Sequence, residues 1–359
     1  MNLILTVLGW LAGIVLFWRA KPLKPPNNDL TDLPSASIII PARNEEKNID
    51  KLLSTLKDQC GASDEIIVVD DDSSDGTSAV VFSYGLEPIK LSGAPPEGWM
   101  GKSWACWNGY SRSTGDILIF LDADVELSPC AIETVKHKFL ECGGFFSVQP
   151  YHRMERIYEK LSLFFNMIVV GSIGSFSLWK TKAMGAFGPC MICKKSDYEA
   201  VGGHKTVGDH VLDDIELARL FMRKGFSVQN ALGGSVLKFR MYPGGLRDVI
   251  LGWGKNFVAG ARKTNIHYLI LNVLWIGGAF SAFMRFPLSS GPSVLHNSFI
   301  YIAYVFQIWF VSRKLGSFGI LTALLYPVSL CFFFIVFAYS MVRTLLYKSV
   351  IWKGRKISV

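Results

Sequence analysis

The chain of 359 residues is 50% hydrophobic, only 18% charged and carries a net charge of +8. An ordinary soluble domain has about a quarter of its residues charged, so a wholly soluble protein is excluded. Nucleic acid is disfavoured as the partner of the positive charge, because the basic residues flank apolar runs instead of forming a stripe with interleaved aromatics.

In chain order, Leu3 to Trp18 is apolar and uncharged, with no small-residue cleavage site before Arg19. It reads as a retained N-terminal transmembrane anchor over 1–20. Pro22-Leu-Lys-Pro-Pro26 follows as a stiff spacer. From 35 to 262 the chain reads as a catalytic domain in which short apolar strands alternate with helices. Ser37–Pro41, Glu65–Asp70, Ile117–Asp122 and Phe145–Val148 are predicted strands, and Asn48–Leu56 a helix. Continuous apolar strands separated by helices predict a mostly parallel sheet covered on both faces, which binds ligands at the carboxyl ends of its strands.

Leu161–Trp179 is apolar but holds Ser, Asn and Gly. A span here would put the bilayer between the motifs on its two sides, so 155–180 is expected to be an interfacial helix docking on lipid. Three late apolar runs, Tyr268–Phe286, Val294–Val311 and Phe318–Val342, make 267–345 a transmembrane or re-entrant region, and 346–359 a basic cytoplasmic tail. Arg19 and Lys21, Arg262 and Lys263, and Arg313 and Lys314 place the catalytic domain on the cytoplasmic side of a multi-pass cell-membrane protein. A single crossing by the third run would leave the basic tail outside, so Pro327 is expected to split it into a re-entrant pair. The seven cysteines are scattered, and Cys190-Met-Ile-Cys193 lacks the second pair that zinc requires. They are expected to be small buried hydrophobes.

The second strand ends in Asp70-Asp71-Asp72-Ser73-Ser74-Asp75-Gly76-Thr77, and the third in Asp122-Ala123-Asp124. Carboxylates at strand ends repel a diphosphate unless a hard divalent cation lies between them. Such a cation also stabilises a leaving nucleoside diphosphate. Either motif alone is compatible with a solvated turn or an Asx-turn capping a helix. Together, in this order and after Ile39-Ile40-Pro41-Ala42-Arg43-Asn44-Glu45-Glu46, they resemble the family 2 glycosyltransferases over roughly 35–262.

That resemblance implies an α/β fold: the A-type nucleotide-diphospho-sugar transferase domain, with a Rossmann-like mixed sheet, here flanked by N- and C-terminal transmembrane helices. It implies that Pro41, Arg43 and Glu45 line a uridine pocket and that Asp71 bonds the uracil. Asp122 is implied near the ribose or sugar, Asp124 as the ligand of Mn²⁺ or Mg²⁺, and Lys102 of Gly101-Lys102-Ser103 beside a phosphate. Asp213 and Asp214, at a predicted helix start, match the family's acidic pair, the second being the usual base. Both also fit a helix cap. If the acceptor is itself a carboxylate, Asp214 orients it and has no proton to remove.

The Gln-x-x-Arg-Trp signature of processive members is absent, and Gly252-Trp253-Gly254 stands in its place. Ser147–His152, Ala186–Pro189, Gly202–Lys205, Phe239–Tyr242 and Trp352–Arg355 look like a narrower group. Its members esterify a C30 carotenoid acid, 4,4'-diaponeurosporenoate, with glucose in bacterial carotenoid synthesis. The implied donor is a UDP-sugar, and the implied acceptor a lipid-like molecule in the bilayer. A hopanoid, diacylglycerol or polyprenyl phosphate acceptor stays open, as does a non-catalytic nucleotide-sugar-binding membrane protein. Trp179, Tyr242 and Trp253 are either headgroup-level anchors or packing residues.

Overall fold

The computed structural model describes residues 3–26, 33–179, 183–285, 293–347, 349–352 and 355–358, without side-chain detail for 255–259, 262 and 344–359. The chain divides into two compact units: 22–151 with 185–241, and 1–21 with 152–184 and 242–359. The loop expected at 287–292, the side chain of Arg262 and those of the basic tail lie outside the described residues.

The first unit is built on seven strands. They are β1 (Ala36–Ala42), β2 (Glu65–Asp71), β3 (Ile89–Leu91), β4 (Ile117–Leu121), β6 (Phe145–Gln149), β7 (Cys190–Lys194) and β8 (Val228–Leu232); β5 (Val125–Leu127) and β9 (Leu237–Phe239) pair separately and antiparallel. The sheet order is β3-β2-β1-β4-β7-β6-β8. All neighbours run parallel except β7, which is antiparallel to both β4 and β6. Buried on both faces, β1 and β4 carry the uninterrupted runs Ser37-Ile-Ile-Ile40 and Ile117-Leu-Ile-Phe-Leu121. Helix Glu46–Leu56 buries Ile49, Leu52, Leu53 and Leu56 in the same core as Ile38 and Ile40. Each such side chain contributes about 1.5–3 kcal/mol of transfer free energy.

The second unit is helical. Its helices Ile266–Arg285, Ser293–Leu315 and Tyr326–Arg343 are long and apolar enough to cross a membrane. They expose Ile270, Val273, Phe299, Ile302, Phe306 and Ile335 outward. Helix Leu3–Phe17 has 15 residues; at 1.5 Å per residue it is about 22 Å long, short of the roughly 30 Å hydrocarbon layer. It packs on Ile266–Arg285 through small residues. The Cα atoms of Gly9 and Gly278 are so close that a Cβ on Gly9 would lie 2.9 Å from the Gly278 Cα. Such close backbone approach is how helices associate where water supplies no hydrophobic drive. Polar side chains satisfy one another along the seam. Thr6 and Ser281 hydroxyls are 2.7 Å apart, Tyr304 Oη donates to Thr6 O, and Trp275 Nε1 donates to Gln307 Oε1.

Helix Leu163–Ser172 fully buries Leu163, Phe164, Phe165 and Met167, while Ile157 and Leu178 on either side of it are exposed. Phe164 packs on Trp275, and Phe165 on Phe333 and Trp253. Trp253 and Tyr242 are packing residues and not anchors. Trp253 stacks on Phe165 at 5.0 Å, donates to Ser162 Oγ and meets Tyr242 edge-on. Trp179 is exposed. The third late run breaks at Leu325, between helices Ile320–Leu324 and Tyr326–Tyr347. Pro327 lies in the first turn of the latter, where a missing N–H is tolerated. The break lies against Tyr301, which donates to Leu324 O and stacks on Tyr326, while Tyr326 donates to Ala279 O.

Candidate active site

The site belongs to the sheet unit and follows from strand order. The order in which the chain lays down its parallel strands reverses at β1, which has β2 on one side and β4 on the other. Carboxyl ends on both sides of such a switch point leave a crevice above β1. Asp71 closes β2 and Asp122 follows β4. Two strand spacings, about 10 Å, separate these ends.

On the β2 side, the loops after β1 and β2 are laced together. Asn44 N donates to Ser73 Oγ, Ser74 N to Asn44 Oδ1, Glu45 N to Thr77 Oγ1 and Gly76 N to Glu46 Oε2. Asp70 is buried beneath them and accepts from Ser73 N and Ser78 Oγ. It is therefore a structural acid, while Asp71, equally buried, lies beside Arg43. The Arg43 Nη1 donates to Asp71 O at 2.7 Å and lies 3.7 Å from Asp71 Oδ2. Pro41 is half-buried at the end of β1, and Glu45 Oε2 accepts from Asn48 Nδ2. These residues bring donors, acceptors and a short apolar wall to one end of the crevice, which suits a planar base.

On the β4 side, Lys102 in the first turn of helix Gly101–Tyr110 is the centre. Its Nζ is 2.6 Å from Asp122 Oδ1 and donates to Gly188 O at 3.4 Å. Asp122 and Asp213 hold the Lys102 ammonium charged, raising its pKa against the opposing effect of burial. The chain passes tightly here, for a Cβ on Gly188 would lie 3.1 Å from Asp214 Oδ2 and 3.3 Å from Lys102 Nζ. Asp213 and Asp214 begin helix Asp213–Arg223. Asp214 Oδ1 accepts from Ile215 N, and Asp213 Oδ2 lies 3.5 Å from the Ser103 hydroxyl. Burial, then the neighbouring Asp213 charge, pushes the Asp214 carboxyl up to about 7, while Lys102 opposes the shift.

Asp122, Asp213, Asp214 and Lys102 thus meet in one place, and Arg43 with Asp71 in another along the same strand ends. Asp124 is half-buried two residues beyond Asp122, just before β5. Among the described residues, no three His, Cys, Asp or Glu side chains form a metal cage. The acids present fit a different mode, in which Mg²⁺ or Mn²⁺ takes one or two carboxylates and completes its shell with diphosphate oxygens and water. Sequence reasoning quoted Gly188, whose carbonyl meets Lys102, and His204, which lies near Asp213, only within resemblance motifs, and it did not single out Tyr198, which bonds His204. The Gly202-Gly203 pair ahead of a lone His was the available signal. Cys190 and Cys193 are buried, unpaired and far less acidic than an ordinary thiol, as inert core residues are.

The glycosyl transferase family 2 pattern matches residues 37–202. A Staphylococcus haemolyticus protein named 4,4'-diaponeurosporenoate glycosyltransferase is 36% identical over 334 residues, covering 90% of this chain and 89% of its own length. The chain belongs to the family 2 glycosyltransferases. A Staphylococcus aureus protein of the same name is 32% identical over 99% of this chain and 96% of its own. A mannosyltransferase from Pyrobaculum calidifontis, solved with GDP-Man and Mn²⁺, superposes with TM-score 0.59 at 19% identity. It covers 96% of this chain and 98% of its own, and it shares the fold of this family 2 glycosyltransferase.

Lys102→Met is expected to lower transfer about 100-fold, the cost of removing one preorganised donor from such a site, since it leaves Asp122, Asp213 and Asp214 without their shared cation. Initial rates on the purified variant, with nucleotide binding as the folding control, check this; wild-type turnover would reduce Lys102 to a surface lysine.

Proposed function

We propose that this family 2 glycosyltransferase is an inverting enzyme that moves glucose from UDP-glucose onto a membrane-held, lipid-like acceptor, the carboxylate of a C30 carotenoid acid. One observation carries the reading. The acids at the β4 end and at the start of helix Asp213–Arg223 are gathered around Lys102, beside an Arg43–Asp71 crevice suited to uracil. The chain's likeness to relatives named for 4,4'-diaponeurosporenoate extends over nine-tenths or more of its length.

Arg43, Asp71, Pro41 and Glu45 hold the base, and Asp122, kept in place by Lys102, meets the ribose or sugar. Asp124 would hold Mn²⁺ or Mg²⁺, which would supply Lewis-acid stabilisation of the leaving diphosphate. The acceptor carboxylate oxygen bonds to the anomeric carbon as the carbon–oxygen bond to the diphosphate breaks, and UDP departs with that electron pair. No proton has to leave the acceptor. Asp214, whose pKa burial and Asp213 raise to about 7, in its protonated form donates a hydrogen bond to the incoming carboxylate instead of repelling it.

The apolar helices serve to keep the acceptor's bilayer within reach of the same polypeptide. The protein is a multi-pass cell-membrane protein with its sheet unit in the cytoplasm, on the side of Arg19, Lys263 and Arg313. The chain turns back at Leu325 within the apolar layer, returning the basic tail to that side.

The test is transfer in detergent micelles from UDP-glucose and Mn²⁺ to 4,4'-diaponeurosporenoate, with products identified by mass spectrometry. A hexosyl ester cleaved by mild alkali is expected. Transfer to hopanoid, diacylglycerol or polyprenyl phosphate, but not to the carotenoid acid, would assign a different acceptor.

A further inference from the structure

We infer that Tyr198 and His204 are positioning residues for the acidic pair: the Tyr198 hydroxyl sets the His204 ring, and the ring's far nitrogen fixes the Asp213 carboxylate beside Asp214. The inference rests on the site reading proposed above and adds two residues to it.

His204 is fully buried in helix Gly203–Val207, and Tyr198 is fully buried in helix Lys195–Val201. The backbone N–H of His204 donates to Tyr198 Oη at 2.8 Å, and the same oxygen lies 2.8 Å from His204 Nδ1. His204 Nε2 is buried without a hydrogen-bond partner and lies 3.8 Å from Asp213 Oδ2, a gap that a small shift of either side chain closes. The backbone N–H occupies one lone pair of the phenol oxygen. A proton on Nδ1 would occupy the other, strand the Tyr198 proton, and turn a bare Nε2 lone pair toward a carboxylate. The arrangement without that repulsion has Tyr198 O–H donating to Nδ1, which places the ring proton on Nε2, facing Asp213. The ring is neutral, because burial and the nearby Lys102 charge press its pKa down to about 3. It therefore offers Asp213 a donor without cancelling its charge.

The surrounding chain is shaped for this contact. Gly203 adopts φ +52°, and a Cβ there would come within 2.2 Å of the Tyr198 ring. Phe120 of β4 packs edge-on against the His204 ring at 4.9 Å, leaving the imidazole little freedom to swing. Ser103 reaches the same Asp213 oxygen from the helix that carries Lys102. Asp213 is thus approached from behind by His204 and Ser103, and it stands next to Asp214 at the helix start. A loose Asp213 would let the first turn of helix Asp213–Arg223 shift, and Asp214 with it.

The full chain in detergent tests this with UDP-glucose, Mn²⁺ and the carotenoid acid. His204→Phe preserves the packing against Phe120 and removes the donor; its kcat should fall about 10- to 100-fold, the range for residues that orient a catalytic group, with the KM for UDP-glucose unchanged within about twofold. His204→Gln, which returns an N–H near the Nε2 position, should recover most of that loss. Tyr198→Phe should lower kcat by about tenfold, because the ring then loses the bond that sets its tautomer. Wild-type kcat in His204→Phe, or no recovery in His204→Gln, overturns the assignment. If His204→Phe fails to bind UDP and so has not folded, Tyr198→Phe decides alone. A readout independent of turnover is ¹⁵N-histidine NMR: the Nε2–H tautomer is expected for His204, and an Nδ1–H tautomer refutes the relay. Asp124→Ala separates the two readings. If it is inactive while His204→Phe and Tyr198→Phe are unimpaired, only the relay fails; if it is fully active, the site assignment fails with it.

Discussion

Asp124→Ala is expected to lower sugar transfer by about a thousandfold or more while the protein still folds. A metal that stabilises a leaving diphosphate contributes several kcal/mol, and about 4 kcal/mol corresponds to three orders of magnitude in rate. The structure makes the loss specific. Asp124 lies past the end of β4 and outside the Asp122–Lys102 pair, so its removal leaves the Lys102 anchor intact. It is half-buried, so truncation opens no core cavity. The Arg43–Asp71 end of the crevice is also untouched, and UDP should still bind, more weakly and with its dependence on Mn²⁺ gone. Isothermal titration of UDP with and without Mn²⁺, alongside product formation, reads both effects. Undiminished turnover would remove the metal from this site.

The second large effect lies in pH. A carboxylate acceptor needs Asp214 protonated, and burial together with Asp213 raises its pKa to about 7. As pH rises through that value the carboxyl ionises and repels the acceptor. The wild-type rate should therefore fall by up to about tenfold per pH unit on the alkaline side, the slope of a single essential acid. Asp214→Asn cannot ionise but still donates a hydrogen bond. It should keep activity within about tenfold of wild type at mildly acid pH, exceed it about 1.5 units above neutrality, and show no alkaline limb. A hydroxyl acceptor reverses every sign, because Asp214 would then be a base: the rate rises with pH, and the Asn variant loses about 10²- to 10⁴-fold. Profiles of kcat at saturating donor for the two proteins discriminate between these outcomes.

The acidic strand ends were legible in the sequence for a physical reason. A strand buried on both faces leaves an unbroken apolar run, so the first charged residue after it marks the edge of the sheet, as Asp70–Asp71 and Asp122 do. β7 was not legible. Its sequence, Cys190-Met-Ile-Cys-Lys194, is as apolar as its neighbours, and nothing local says that it runs against them between β4 and β6. The partners of helix Leu163–Ser172 were not legible either, because hydropathy cannot separate a face meant for lipid from one meant for Trp275 and Phe333. The same holds for Trp253, whose neighbours come from distant segments. His204 was quoted only as part of a resemblance, since one histidine has no periodicity. Its meaning lies in Tyr198 and Asp213, which the fold supplies.

The glycine-to-glycine seam along helix Leu3–Phe17 sets a timetable for biogenesis. Thr6 and its partner Ser281 are separated by 275 positions. At 5–20 residues per second, synthesis of the partner trails by about 14 to 55 s. Throughout that interval helix Leu3–Phe17 waits without the surface that it packs against. Slowing translation between the two helices should therefore lower the yield of inserted enzyme without altering the activity of the molecules that mature.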